Sequence, residues 1–153
     1  LISATTTWKT SWPVCWTNRI AATDGSLPPP SIHYYEENAR TLAQRRALLE
    51  KRFADFAALV LESGRASFAL CQNVYCATDV RHQGLSVALA LSQSILQGSN
   101  GAWRMQGGGF AGTIQAYVPE TLLQRYHTAM ERVFGPGSCY VLRLREQGAR
   151  QVL

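Results

Sequence analysis

Residues 106–113 read Gln106-Gly107-Gly108-Gly109-Phe110-Ala111-Gly112-Thr113, with four glycines in six positions between two strand-like runs, Ala102–Gln106 and Thr113–Val118. Glycine reaches φ > 0 without steric cost and lets a backbone approach another group closely. The loop is therefore either a tight turn with unusual dihedrals or a place where main-chain N–H groups face an anion. Two strands meet on either side of it.

The elements around this pair follow from periodicity. From Ser31, a candidate N-cap with Glu36 and Glu37 in an early turn, apolar residues recur at steps near three, four and seven: Tyr35, Leu42, Leu49, Phe53, Phe56, Leu59 and Val60. This predicts a helix, or a pair of abutting helices, running to about Ser63 and stopped by Gly64. Ala66–Tyr75 reads as a short helix or turn. Asp79 is expected to cap a second long helix through Gln97, with Leu85, Ala88, Leu89, Ser92, Ile95 and Leu96 as its inner stripe, stopped at Gly98-Ser99-Asn100-Gly101. Pro119-Glu120-Thr121 opens a third helix that ends at Gly135-Pro136-Gly137, and Ser138–Arg145 alternates like a strand. Arg150–Leu153 reads as a final short strand. Helix, helix, strand, strand, helix, strand predicts the α+β class, with helices on one face of an antiparallel sheet.

Residues 1–30 differ in composition. They hold Trp8, Trp12 and Trp16, are rich in Thr, Ser and Pro, and carry little charge. Pro28-Pro29-Pro30 is expected to close the stretch as an extended segment. Either this is an atypical segment foreign to the domain at 31–153, or it is an extended strand and loop packing its tryptophans on that domain. The first reading predicts proteolytic cleavage between Leu27 and Ser31 and a resistant core from Ser31.

Composition narrows the function. A chain of 153 residues makes one ordinary domain, and no apolar run is long enough for a membrane span. The net charge of +5 comes almost wholly from arginines spread along the chain beside acids, which argues against a nucleic-acid surface. Cys15, Cys71, Cys76 and Cys139 form no Cys-x-x-Cys pair, and His33, His82 and His127 are isolated, so no metal site is expected. The N-terminus lacks a secretory pattern, and a cytoplasmic location is expected.

Taken together, Asn73-Val74-Tyr75, Gln83-Gly84-Leu85-Ser86 and the run from Gly101 to Pro119 resemble the C-terminal half of a bacterial galactokinase, within the class of galactose, homoserine, mevalonate and phosphomevalonate kinases. Gly107 to Gly112 match that class's third motif, Gly-[Ala/Gly]-Gly-Phe-[Gly/Ala]-Gly, position by position. Glu62-Ser63 and Ser67 resemble its Glu-Ser-His-x-x-Ser segment, with Gly64 where many members have His. The resemblance runs from about Ser31 to the C-terminus.

The resemblance implies a ferredoxin-like two-layer sandwich. It also implies that Gly107, Gly108, Gly109, Phe110, Ala111 and Gly112 help close an ATP site, with Phe110 as a packing residue. Arg104 either faces the cleft or forms a surface ion pair. The whole enzyme would use ATP and Mg²⁺ to convert galactose to galactose 1-phosphate. The family's sugar-binding motif, phosphate loop and catalytic acid have no counterpart here, so no catalytic residue is assigned and the chain alone is expected to be inactive without its missing N-terminal kinase domain. Two alternatives stay open: another small-molecule kinase of the same class, or a free-standing ferredoxin-like binding module.

Overall fold

The computed structural model describes residues 2–7 and 29–30 as backbone, and residues 31–75, 79, 81–109 and 112–142 with their side chains. The first strand, β1, is Ile2–Thr7. A helix pair follows, α1 (Pro29–Leu49) and α2 (Phe53–Ala66), then a π-helical turn at Ser67–Cys71. The remaining elements are α3 (Gly84–Leu96), β2 (Ala102–Met105), β3 (Thr113–Val118), α4 (Glu120–Phe134) and β4 (Cys139–Leu142). The expected strand at Arg150–Leu153 lies outside the described residues.

Several boundaries move for identifiable reasons. Pro29 and Pro30 open α1 instead of closing an extended segment, because the first turn of a helix does not need their missing N–H groups. Of the two readings, one helix or a pair of abutting helices, the pair holds: Lys51 takes φ 56° and the Arg52 N–H reaches back to the Ala47 carbonyl at 2.8 Å. Gly64 does not stop α2, which continues to Ala66 and through the π-helical turn until Gln72 at φ 49°. What Gly64 provides is close approach, since a Cβ there would sit 3.1 Å from Arg104 Cβ. Asp79 does not cap α3 either. Its carboxylate accepts the Arg81 N–H at 3.1 Å, a local turn that competes with helix, and α3 begins only at Gly84.

The four strands form one antiparallel sheet in the order β2-β3-β1-β4, so the fold is α+β. β1 pairs with β3 from Ile2↔Val118 to Thr7↔Thr113 and with β4 from Ser3↔Leu142 to Thr6↔Cys139. Of the two readings of residues 1–30, the extended strand holds for Ile2–Thr7, which lies between β3 and β4; without it those two strands would each expose a row of unpaired backbone groups.

The expectation of helices on one face is also corrected. Ile114, Ala116 and Val118 on β3, with Met105 on β2, are buried against Leu85, Ala88, Leu96, Tyr126 and Met130 of α3 and α4. The alternate positions Ala102 and Tyr117 meet Phe56, Ala57 and Val60 of α2, and behind them Ala47 of α1, with the Phe56 and Tyr117 rings edge to face at 5.1 Å. Neighbouring residues of a strand point to opposite faces, and β2 and β3 bury apolar residues on both. Helices therefore cover both sides of the β2–β3 half, and the two-layer expectation fails there.

The α3–α4 side is pinned by one polar chain inside the core. The Tyr126 hydroxyl pairs with Ser92 Oγ at 2.8 Å, and Ser92 donates to the Ala88 carbonyl at 2.8 Å. Burial pushes the Tyr126 phenol far above its ordinary pKa, which the Ser92 hydrogen bond only partly offsets, so it stays a neutral donor. Among the described residues, no helix is long and apolar enough to cross a membrane.

The place of β1 gives a direct test. Cleavage between residues 8 and 28 should leave the N-terminal peptide bound through its strand, eluting with the rest in gel filtration. A chain starting at residue 8 should lose cooperative thermal unfolding. Retention of the full melting transition by that shortened chain would show that β1 is dispensable.

Candidate functional site

The glycine loop closes the β2–β3 hairpin. Gln106 N–H donates to the Thr113 carbonyl at 2.9 Å, and Gly112 N–H to the Gly109 carbonyl at 3.0 Å. Phe110 and Ala111 lie outside the described residues. The glycines differ in what they face. Gly109 is buried at φ +85°, and a Cβ there would run into the Asn73 carbonyl oxygen, lying 3.0 Å from its carbon and from the side-chain Cγ. Gly108 is exposed, has no atom within 4 Å of a built Cβ and avoids the left-handed region. Gly107 is exposed too, with open space around it.

Asn73 is therefore the seat of the loop. Its side chain is buried, with Nδ2 donating to Ser67 Oγ at 3.4 Å and lying 4.0 Å from Met105 Sδ. Val74 inserts into the α3–α4 core, and Ser86 in the first turn of α3 donates to the Val74 carbonyl at 3.4 Å. The three segments that carry the sequence resemblance, around Asn73, around Ser86 and in the glycine loop, thus share one end of the sheet.

The strand entering the loop is held by a polar cluster. Arg104 Nη1 donates to Glu37 Oε1 at 2.9 Å and to Ser63 Oγ at 2.5 Å, while its Nε donates to the Met105 carbonyl at 3.1 Å. The Ser63 hydroxyl donates in turn to Glu37, closing a triangle between α1, α2 and β2. Arg40 completes it, with Nη1 on Glu37 Oε2 at 2.5 Å and Nη2 on Glu62 Oε1 at 3.2 Å. Ser63 and Ser67 are fully buried four residues apart, one engaging the Arg104 cluster and the other Asn73. Of the two readings of Arg104, the structure selects an ion pair, and a half-buried one.

The electrostatics follow from this packing. Burial opposes ionisation of Glu37, but hydrogen bonds from Ser63, Arg40 and Arg104 outweigh it and hold the carboxyl below its ordinary range. Burial likewise works against the Arg40 charge, and the Glu37 and Glu62 hydrogen bonds more than restore it. Burial raises the Cys71 thiol above its usual value. Among the described residues neither Cys71 nor Cys139 stands in a disulfide, and no group of three or more His, Cys, Asp or Glu converges as a metal would need.

The sequence marks the loop, Arg104, Ser63 and Ser67 one by one and carries no sign of their connection. Glu37 stands out in it only as an early-turn carboxylate, and Asn73 only as part of a motif. Compared with known proteins, the chain matches no family model, no curated protein and no solved structure.

Two measurements test this geometry. Gly109→Ala should cost about 2 kcal/mol or more in urea unfolding, from strain and the Asn73 collision, whereas Gly108→Ala should stay within about 0.5 kcal/mol of the parent. Equal losses at both positions would refute the distinction. For Glu37 the sign is fixed by its lowered pKa: its ionised form stabilises the fold above the unfolded-state value near 4.3, and that contribution fades as pH falls through the lower folded-state value. The stability gap between the parent and Glu37→Gln should be largest near neutrality and shrink towards pH 3. A gap independent of pH would mean the carboxylate charge is not what matters.

Proposed function

We propose that this chain is the C-terminal half of a galactokinase, in which the exposed backbone at Gly107 and Gly108 forms one wall of an ATP cleft. The observation that carries this reading is the division of labour in the loop. Gly109 is required by the Asn73 contact, but nothing within the described residues requires Gly108 to lack a side chain. A tight approach by a second backbone or a phosphate would require it. The element order also favours the family's fold. Strands and helices run β-α-β-β-α-β once α1–α2 is set aside, and the strand order β2-β3-β1-β4 is that of a ferredoxin-like sheet, with α3 and α4 as its two crossover helices.

On this reading the chain supplies a wall and not the reacting groups. Phosphoryl transfer depends on positioning and on neutralising spread negative charge. The loop's backbone suits the first task. The Mg²⁺ ligands, the phosphate loop and the group that assists the galactose hydroxyl belong to the missing N-terminal half. Arg104 serves the loop indirectly: its guanidinium is spent on Glu37, Ser63 and the Met105 carbonyl.

β1 supports a second reading. A four-stranded sheet completed by the chain's own first residues fits a free-standing ferredoxin-like binding module as well as it fits a half-enzyme.

One experiment separates the two. Alone, the chain should release no ADP from ATP with galactose and Mg²⁺ in a coupled assay. Joined to the N-terminal half of a related galactokinase it should gain turnover, and Gly108→Val should then abolish most of that turnover while leaving the melting temperature in place. Turnover by the chain alone overturns the half-enzyme reading, and failure of the joined protein to turn over favours the module.

A further inference from the structure

α1 is inside out. Its face toward α2 carries Arg40 and Ala47, 7% and 1% exposed, while Tyr35, Leu42 and Leu49 on the opposite face are 66%, 69% and 67% exposed. With Ile32, Ala39 and Arg46, all exposed, they form the series 32, 35, 39, 42, 46, 49. Alternating steps of three and four are the spacing of a coiled-coil seam. The stripe spans seventeen residue rises, about 26 Å of helix. We propose that this face binds a second copy of the same chain, α1 against α1 in antiparallel order about a two-fold axis.

The seam itself selects the orientation. In parallel order each position meets its own copy, so Arg46 would face Arg46 across a drying interface, a like-charge contact that is costly. In antiparallel order with paired positions summing to 81, Ile32 faces Leu49, Ala39 faces Leu42 and Tyr35 faces Arg46, each pair occurring twice. Ala39 makes room for Leu42, Ile32 packs on Leu49, and the seam's single cation lies over an aromatic ring with its aliphatic stem packed beside it. Arg46 Nε already pairs with Glu50 of its own helix at 2.8 Å, which holds the side chain along the stripe. The interface is isologous, the commonest kind in soluble dimers. It lies on the helix face turned away from α2 and depends neither on the glycine loop nor on the kinase reading.

Sedimentation equilibrium of the full chain tests this over micromolar to submillimolar concentrations. The parent should approach twice the chain mass. Leu42→Glu, at an exposed position, should keep the melting temperature and weaken association at least about tenfold by placing a carboxylate in each Ala39 contact. A parent that stays at single-chain mass throughout, or an unchanged dimer in Leu42→Glu, overturns the proposal. Orientation is read separately by mixing Ala39→Cys chains with Leu42→Cys chains under mild oxidation and mapping the linked peptides. Links between unlike variants are expected, and links of each variant only to itself would overturn the antiparallel order.

Discussion

Arg104 is the contact on which the arrangement of helices and loop depends. Its guanidinium joins three elements far apart in sequence, β2, α1 through Glu37 and α2 through Ser63, and it also holds the last carbonyl of the strand that enters the glycine loop. Hydrogen bonds to charged groups contribute roughly 1.5–3 kcal/mol each, more than neutral ones, and the geometry here lets one charge make several. Removing the charge is costlier than the contacts suggest, because Glu37 would remain half-buried beside the fully buried Ser63 with one cation fewer. Gly64 belongs to the same device. Without a Cβ it lets α2 settle onto Arg104, and that closeness brings Ser63 within reach.

The loop is held at two points by different physics. Its entry is fixed by the Arg104 cluster, its middle by the shape of the Asn73 backbone against Gly109. Asn73 is fixed in turn by Ser67, by Met105 and by the burial of its neighbour Val74 in the core of α3 and α4. The two faces of the sheet thus both reach the loop, the α1–α2 face through Arg104 and the α3–α4 face through Val74. What remains unconstrained is the outer backbone at Gly107 and Gly108, which is where a ligand or another domain meets the chain on the reading proposed above.

Much of the fold was legible in the sequence. The β2–β3 pair, α4 with its Pro119 start and Gly135 stop, and the inner stripe of α3 follow from local pattern and turn chemistry. The failures share a cause. Ile2–Thr7 holds three consecutive threonines, good strand formers without apolar alternation, so the sequence leaves an extended strand there as only one of two readings and gives no sign of its place in the sheet. Gly64 and Asp79 were given their commonest roles, helix stop and helix cap, while the structure uses a glycine's small size and an aspartate's reach to its own backbone. The Arg104 cluster was invisible because its members stand 41 and 67 residues apart from Arg104, and nothing local marks such a pairing.

The direction in which α1 turns its apolar stripe is the least legible feature of all. Periodicity identifies such a stripe but not the side it faces, and nothing local at Tyr35, Leu42 and Leu49 says that it stays outside. Glu37 and Arg40 make the choice. They satisfy one another, Glu62, Ser63 and Arg104 only if the helix turns its charged side inward, and Ala47 is small enough to let that side approach α2. Rotating the helix to bury its leucines would instead take Glu37 away from both Arg104 and Ser63. The polar cluster therefore sets the rotation of α1, and an exposed apolar stripe is the consequence. A face of that kind, some 26 Å long and self-complementary in one register, is what a second protein surface is built to cover.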